Sequence, residues 1–173
     1  MPILLKTFLE IAVWRKGPQD LPASNLLFVL ALATYAAVEF VAARLVDFGA
    51  RAAVVLILVD VVMLSAWLWL VLAFFARRQR FIQTLTATLG VLALTIVLDI
   101  SVIALQLALG LDRTTVAINW LLPHIIILAL VLGRIFMQAL DRGLITGMAL
   151  TVAIIYSTEL VSGYLLDNIG RTG

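Results

Sequence analysis

Residues 81–109 read FIQTLTATLGVLALTIVLDISVIALQLAL. The stretch is apolar over a length that crosses a bilayer, since about 20 residues rising ~1.5 Å each span a hydrocarbon core of roughly 30 Å. Within it Thr84, Thr88, Thr95, Asp99 and Gln106 follow one another at helical spacings and form one polar stripe. A stripe that long is expected to face other helices rather than lipid. The stretch therefore reads as a membrane-crossing helix, and the chain as an all-α bundle with a polar seam inside.

Composition extends this reading to the whole chain. Of 173 residues 64% are apolar and 13% charged, with a mean hydropathy of +1.17. Soluble domains lie near 45–50% apolar and about 25% charged. Five segments are long enough to span: Ala23–Val46, Ala52–Phe75, Phe81–Leu109, Thr115–Leu140 and Leu144–Leu166. Their connections, Asp47–Arg51, Ala76–Arg80, Gly110–Arg113 and Asp141–Gly143, have no room for a soluble domain. Residues 23–173 are thus expected to form a single five-helix transmembrane domain. With no cysteine there is neither a disulfide nor a thiolate metal site. A net charge of +2 gives no argument for nucleic acid.

Residues 1–22 are expected to be a short amphipathic segment rather than a secretory signal, because Lys6, Glu10, Arg15 and Lys16 interrupt the apolar run. Leu4, Leu5, Phe8, Ile11 and Ala12 recur at helical spacing, and Gly17-Pro18 stops the helix. Two placements follow, an interfacial helix on the cytoplasmic leaflet and a cap packed on the bundle's inner end. They are compatible. Lys6, Arg15, Lys16, Arg77, Arg78, Arg80, Arg134 and Arg142 lie toward one side, against Arg44, Arg51, Arg113 and Arg171 toward the other. The positive-inside rule then places the N-terminus in the cytoplasm and the C-terminus outside.

Each spanning segment carries one titratable residue at a similar depth: Glu39, Asp60, Asp99, His124 and Glu159. At helical rise they lie roughly 10–15 Å below the outer boundary. A charge at membrane depth costs about 2.5–3.5 kcal/mol on insertion scales and usually faces a bundle interior or a water-filled cavity. The neighbours of Asp99 and Glu159 give the firmest inward context. Glu159 shares a helical face with Tyr156, Ser162 and Gly163, and Glu39 has Tyr35, Ala36, Ala42 and Ala43 around it. Pro123 precedes His124 and frees a backbone carbonyl beside it. Asp60 has the weakest context, being flanked by Leu56, Leu64 and Trp67.

Four carboxylates gathered in low dielectric do not all stay ionised. Three uses are open: a proton relay or proton-coupled carrier, a cation or metal site from carboxylates and His124, and a hydrogen-bonded structural core. The single histidine and the missing H-E-x-x-H weigh against a metalloprotease, and no nucleophile elbow, Walker loop or dinucleotide fingerprint is present. The chain is therefore expected to be no enzyme and to use no cofactor and no metal. Lys6, Arg15, Lys16, Arg77, Arg78, Arg80 and Arg134 are candidate contacts for anionic lipid headgroups. For Arg134 the favoured alternative is a snorkelling side chain paired to Asp141. Gly143-x-x-x-Gly147 marks a close helix contact.

Gly17-Pro18-Gln19-Asp20-Leu21-Pro22 and the stretch Arg80 to Gly90, RFIQTLTATLG, resemble bacterial Yip1-like membrane proteins, as does the five-helix count with an inside N-terminus. The resemblance covers most of the chain in hydropathy and those two stretches in detail. It implies a non-enzymatic, multi-pass protein of the bacterial inner membrane. Eukaryotic members bind small GTPases and help organise membrane traffic, and they carry a long cytoplasmic N-terminal region that residues 1–22 do not match, so that role is not carried over. The expected function is a membrane organiser or accessory subunit, with the lipid bilayer and itself or other membrane proteins as partners. The alternative is a proton- or cation-coupled transporter or channel.

Overall fold

A computed structural model describes residues 2–46 and 48–171. Asp47, which opens the first of those connections, lies outside them, as do the side chains of Leu4, Arg113 and Arg171. The described chain is helical, with no strand. A short helix α1 (Pro2–Ala12) and a 3-10 turn (Pro18–Asp20) precede α2 (Asn25–Leu45), α3 (Ala50–Phe74), α4 (Phe81–Ala108), α5 (Arg113–Leu140) and α6 (Leu144–Arg171). Five of these helices are long and apolar enough to cross a membrane, so this is an integral membrane protein.

Local chemistry sets the helix ends. The Ser24 side chain accepts the Leu27 N–H at 3.4 Å and opens α2. Gly17 N–H donates to the Asp20 carboxylate at 2.7 Å, which tightens the turn ahead of it. Five helices close with the same six-to-one backbone bond: Arg15 N–H to Glu10 O (2.7 Å), Phe48 N–H to Ala43 O (3.0 Å), Arg77 N–H to Leu72 O (2.7 Å), Leu111 N–H to Gln106 O (3.3 Å) and Arg142 N–H to Met137 O (3.1 Å). Among the described residues, those that turn left-handed there are Trp14, Ala76, Gly110 and Asp141. Only the third is the glycine that this conformation favours.

The connection from Phe75 to Arg80, the turn at Asp141 and the Pro18–Asp20 turn share one end of the bundle, here the basic end. Helix α4 is the central element, touching α1, α2, α3 and α5. In the half nearer the basic end every α4 residue from Thr84 to Val91 is buried. The Thr84, Thr86 and Thr88 hydroxyls donate back to the carbonyls of Arg80, Ile82 and Thr84 at 2.7–2.8 Å, which lets polar side chains sit in an apolar layer. Helices α5 and α6 approach closely here, because a methyl group on Gly147 would collide with the Gly133 carbonyl. Gly143 has open space around it, so the close contact falls on Gly147 of the Gly143-x-x-x-Gly147 pair.

Helix α1 packs against α4. The Phe8 ring fills the space at Gly90, and Ile11 is fully buried. Leu5, Leu9 and Val13 remain exposed, Leu5 and Leu9 at the rim of an apolar hollow of about 530 Å³ between α1, α2 and α4.

Candidate functional site

The far half of the bundle holds the titratable residues. Asp60, on α3, accepts a hydrogen bond from the Tyr35 hydroxyl of α2 at 3.0 Å. Asp99, on α4, receives two donors from α5 on one carboxylate oxygen: Trp120 Nε1 at 2.8 Å, and His124, whose Nδ1 lies 2.9 Å away. Trp120 and His124 are one helical turn apart, so a single α5 face presents both. Among the described residues Glu39 and Glu159 have neither a hydrogen-bond nor an ion-pair partner, and Glu39 feels the charges of Asp60, Asp99 and Glu159.

These groups surround three connected hollows. The first, of about 500 Å³, is lined by Tyr35, Asp60, His124, Thr158 and Glu159 on an otherwise Leu/Ile wall. A second, of about 330 Å³, takes Glu39 and Asp99, and a third, of about 250 Å³, lies against Asp99, Trp120 and His124. The Asp99–His124 pair borders all three, His124 on the first, Asp99 on the second and both on the third. The first hollow falls in the size range of small-molecule sites, as does its pattern of apolar walls with few polar groups. Among the described residues no group of three His, Asp or Glu is arranged to hold a metal ion.

The hollow has a closed side and an open side. Leu132 and Ile154 are buried at its floor, toward the basic end, while Leu121 and Ile125 are exposed at its mouth on α5. His124 is eleven residues into α5 and Asp60 ten into α3, about 15–17 Å from the nearer helix end, so the mouth lies on the side of the bundle rather than at its end.

Several residues stand where the sequence pattern does not place them. Asp60, with the poorest context on its own helix, has a specific partner from α2. Glu159 lines the hollow but is exposed, and Tyr156, Gly163 and Tyr164 on α6 are exposed as well, so that face is not uniformly inward. Thr84, Thr88 and Thr95 are buried and bond to their own backbone, Thr95 donating to Leu92 O at 2.9 Å. Gln106 is half-buried with its Oε1 unpartnered. Tyr35 and Trp120 are the functional side chains that the titratable-residue pattern passes over. The helical offset of four from Glu39 and His124 respectively is the signal that marks them.

At the basic end the cations are largely committed. Asp141 is held by Arg77 (2.8 Å) and Arg80 (3.1 Å), and Arg80 also donates to the Gln138 and Ala139 carbonyls at 2.9 and 3.1 Å. Arg80 thereby satisfies the last carbonyls of α5 and faces the negative end of its dipole. Arg134 is not paired to Asp141. Its guanidinium lies over the Trp14 ring at 5.4 Å. The reason is the left-handed backbone at Asp141, which turns that carboxylate toward the Arg77–Arg80 loop. Arg78 stacks on Trp69 and Arg142 on Phe75. Lys16 pairs with Glu10 at 2.7 Å and Lys6 more loosely at 3.9 Å, while Arg15 is exposed. The Arg80 hydrogen bond holds the Asp141 carboxyl below its ordinary range, with the Arg80 and Arg77 charges adding to it. Lys16 does the same for Glu10, helped by the charges of Lys6 and Arg15.

Comparison with protein-family models, with curated proteins and with solved structures returned no match. The functional reading rests on the geometry.

Proposed function

We propose that this chain is a non-enzymatic membrane protein that binds a cation in the far half of its bundle. The observation that carries this is the convergence of Asp60, Glu159 and His124 on one hollow of about 500 Å³. A purely structural core would be as stable or more stable with apolar side chains in those positions, because buried polar pairs recover little more than their desolvation cost. Glu159 has no protein group to neutralise it, and where it is ionised at a depth where charge is expensive it calls for a positive ligand.

The basic end faces the cytoplasm in this reading, which follows from the Lys/Arg bias. The N-terminus is then inside, the C-terminus outside and the hollow in the outer leaflet of a bacterial inner membrane. Lys6, Arg15, Arg78 and Arg142 are the cations left for lipid headgroups on the cytoplasmic side. A Yip1-like role as organiser or accessory subunit is compatible with such a site. A cation-coupled carrier is the second reading, favoured by Pro123 inside α5 directly before His124, where the helix has a natural bending point.

The test is thermal unfolding of the purified protein in micelles across a panel of inorganic and organic cations. A ligand that binds the folded state alone raises the midpoint with concentration. At least one cation is expected to do so in the wild type and to lose the effect in Asp60→Asn and Glu159→Gln. A panel without effect, or one acting equally on all three proteins, refutes the reading. Flux of the active cation into proteoliposomes, present or absent, separates the carrier from a binding protein.

A further inference from the structure

We infer that the hollow takes a lipophilic monovalent cation, an ammonium or phosphonium centre within an apolar body, that enters sideways from the bilayer; this rests on the cation-binding reading above. Three observations independent of the count of acids lead there. The first is size. About 500 Å³ is far more than a bare ion occupies and lies within the range of organic ligands. A divalent ion would need several converging oxygens, and no such group is present among the described residues.

The second observation is the distribution of charge. Asp60 is held by Tyr35, and His124 is committed to Asp99. Glu159 is the one titratable group on this wall with no protein partner among the described residues. One unpaired carboxylate on an apolar wall matches one positive centre in an apolar body. The Tyr35 ring beside Asp60 adds an aromatic surface, which favours diffuse organic cations.

The third is access. The mouth at Leu121 and Ile125 is exposed at membrane depth, while the floor at Leu132 and Ile154 is buried. A hydrated inorganic ion does not travel through hydrocarbon, whereas a lipophilic cation partitions into the bilayer and reaches this mouth from the side.

The experiment is equilibrium binding of radiolabelled tetraphenylphosphonium to the purified full chain, beside thermal shifts with sodium and calcium ions. Saturable tetraphenylphosphonium binding is expected, weakened about tenfold or more by Glu159→Gln. Ile125→Trp, which narrows the mouth from an exposed position, should weaken it as well. Both positions are exposed, so the variants are expected to fold, which gel filtration checks. Binding that neither substitution changes overturns the inference. If tetraphenylphosphonium fails to bind but sodium or calcium stabilises the protein through Glu159, this inference falls and the cation-binding reading stands. If none of the three acts, both fall.

Discussion

From Thr84 to Val91 helix α4 is buried on every side, and its hydroxyls are satisfied by its own backbone. One and a half turns past Val91 the same helix has Val97 and Leu98 exposed, and Asp99 bonded across to another helix. The two halves are made of similar residues, so composition does not explain the difference. What differs is where polar groups find their partners. Along Thr84–Val91 the hydroxyls bond within one helix, which leaves that helix surface free to meet Phe8 at Gly90, while Gly133 and Gly147 bring α5 against α6. In the far half the polar groups bond between helices, Tyr35 to Asp60 and Trp120 and His124 to Asp99, and the helices stand apart around the hollows. The near half has a tight seam at Gly133–Gly147 but also an apolar hollow of about 530 Å³ beside Phe8 and Gly90. The far half differs in the acidic groups on the walls of its hollows.

The sharpest way to break this contrast is to add the same bulk to each half. Gly147→Leu forces α5 from α6 at a point where even a methyl meets backbone, and its cost is expected to reach about 3 kcal/mol, the upper part of the usual range for overpacking. Gly163→Leu, on the same helix but with open space around it, should change stability by less than about 0.5 kcal/mol. Denaturant titration in micelles measures both. Equal losses would mean that the halves are packed alike.

Next in size is a test of whether far-half polarity serves stability. Tyr35→Phe alone removes a donor from Asp60 and should cost about 1 kcal/mol. The double variant Tyr35→Phe/Asp60→Leu removes both members and should recover that loss or gain about 1 kcal/mol over wild type. If the double variant is the least stable of the three, Asp60 is part of the structural core and the functional reading of the hollow weakens.

How far the sequence reveals each half follows from the same difference in partners. Helix existence and order are carried by runs of apolar residues and short connections, and the observed helices agree with the segments to within a few residues, apart from α6, which continues past Leu166 to Arg171. Its polar tail, Asp167 onward, lacks the hydropathy that marks a span, although nothing in it stops a helix. The threonine stripe is visible because its partners are one turn away on the same helix. Asp60 is not, because its partner Tyr35 comes from α2 and no period within α3 records it. Arg134 fails for the same reason. A spacing of seven points to Asp141, but the left-handed turn hands that carboxylate to Arg77 and Arg80 from another connection.

The pH dependence sharpens the comparison at the basic end. Asp141 and Glu10 have folded-state pKa values lowered from 3.8 and 4.5 by Arg80 and Lys16 respectively. A carboxylate depressed in the folded state contributes stability that is complete above its unfolded value and disappears as pH falls through the folded one. Stability should therefore decline on acidification below about pH 4.5. Asp141 is exposed and Glu10 half-buried beside exposed lysines, so the decline should be shallow and weaker still in high salt. Asp141→Asn should remove its share of that acid limb and leave the neutral plateau slightly lower. An unchanged acid limb in this variant would show that the Arg77–Arg80 clasp does not persist in solution.

The smallest expected effect concerns the helix ends. At the basic end Trp14, Ala76 and Asp141 adopt the left-handed conformation, and at the far end Gly110 does. Asp141 has its ion pairs there, and Trp14 has the Arg134 guanidinium above its ring. Ala76 makes no such side-chain contact, so its strain of about 1–2 kcal/mol is offset only by the backbone bonds that close α3. Replacing it with glycine relieves the strain but frees the unfolded chain by about 0.5–1 kcal/mol. Ala76→Gly is therefore expected to stabilise by about 0.5 kcal/mol, and Gly110→Ala to destabilise by a similar amount with the signs reversed. Denaturation midpoints of the two variants against wild type decide it. Opposite shifts mean that both turns are formed as described, one on an alanine held by its connection and one on a glycine that needs no help. Shifts of the same sign would show that one of the two helices ends elsewhere.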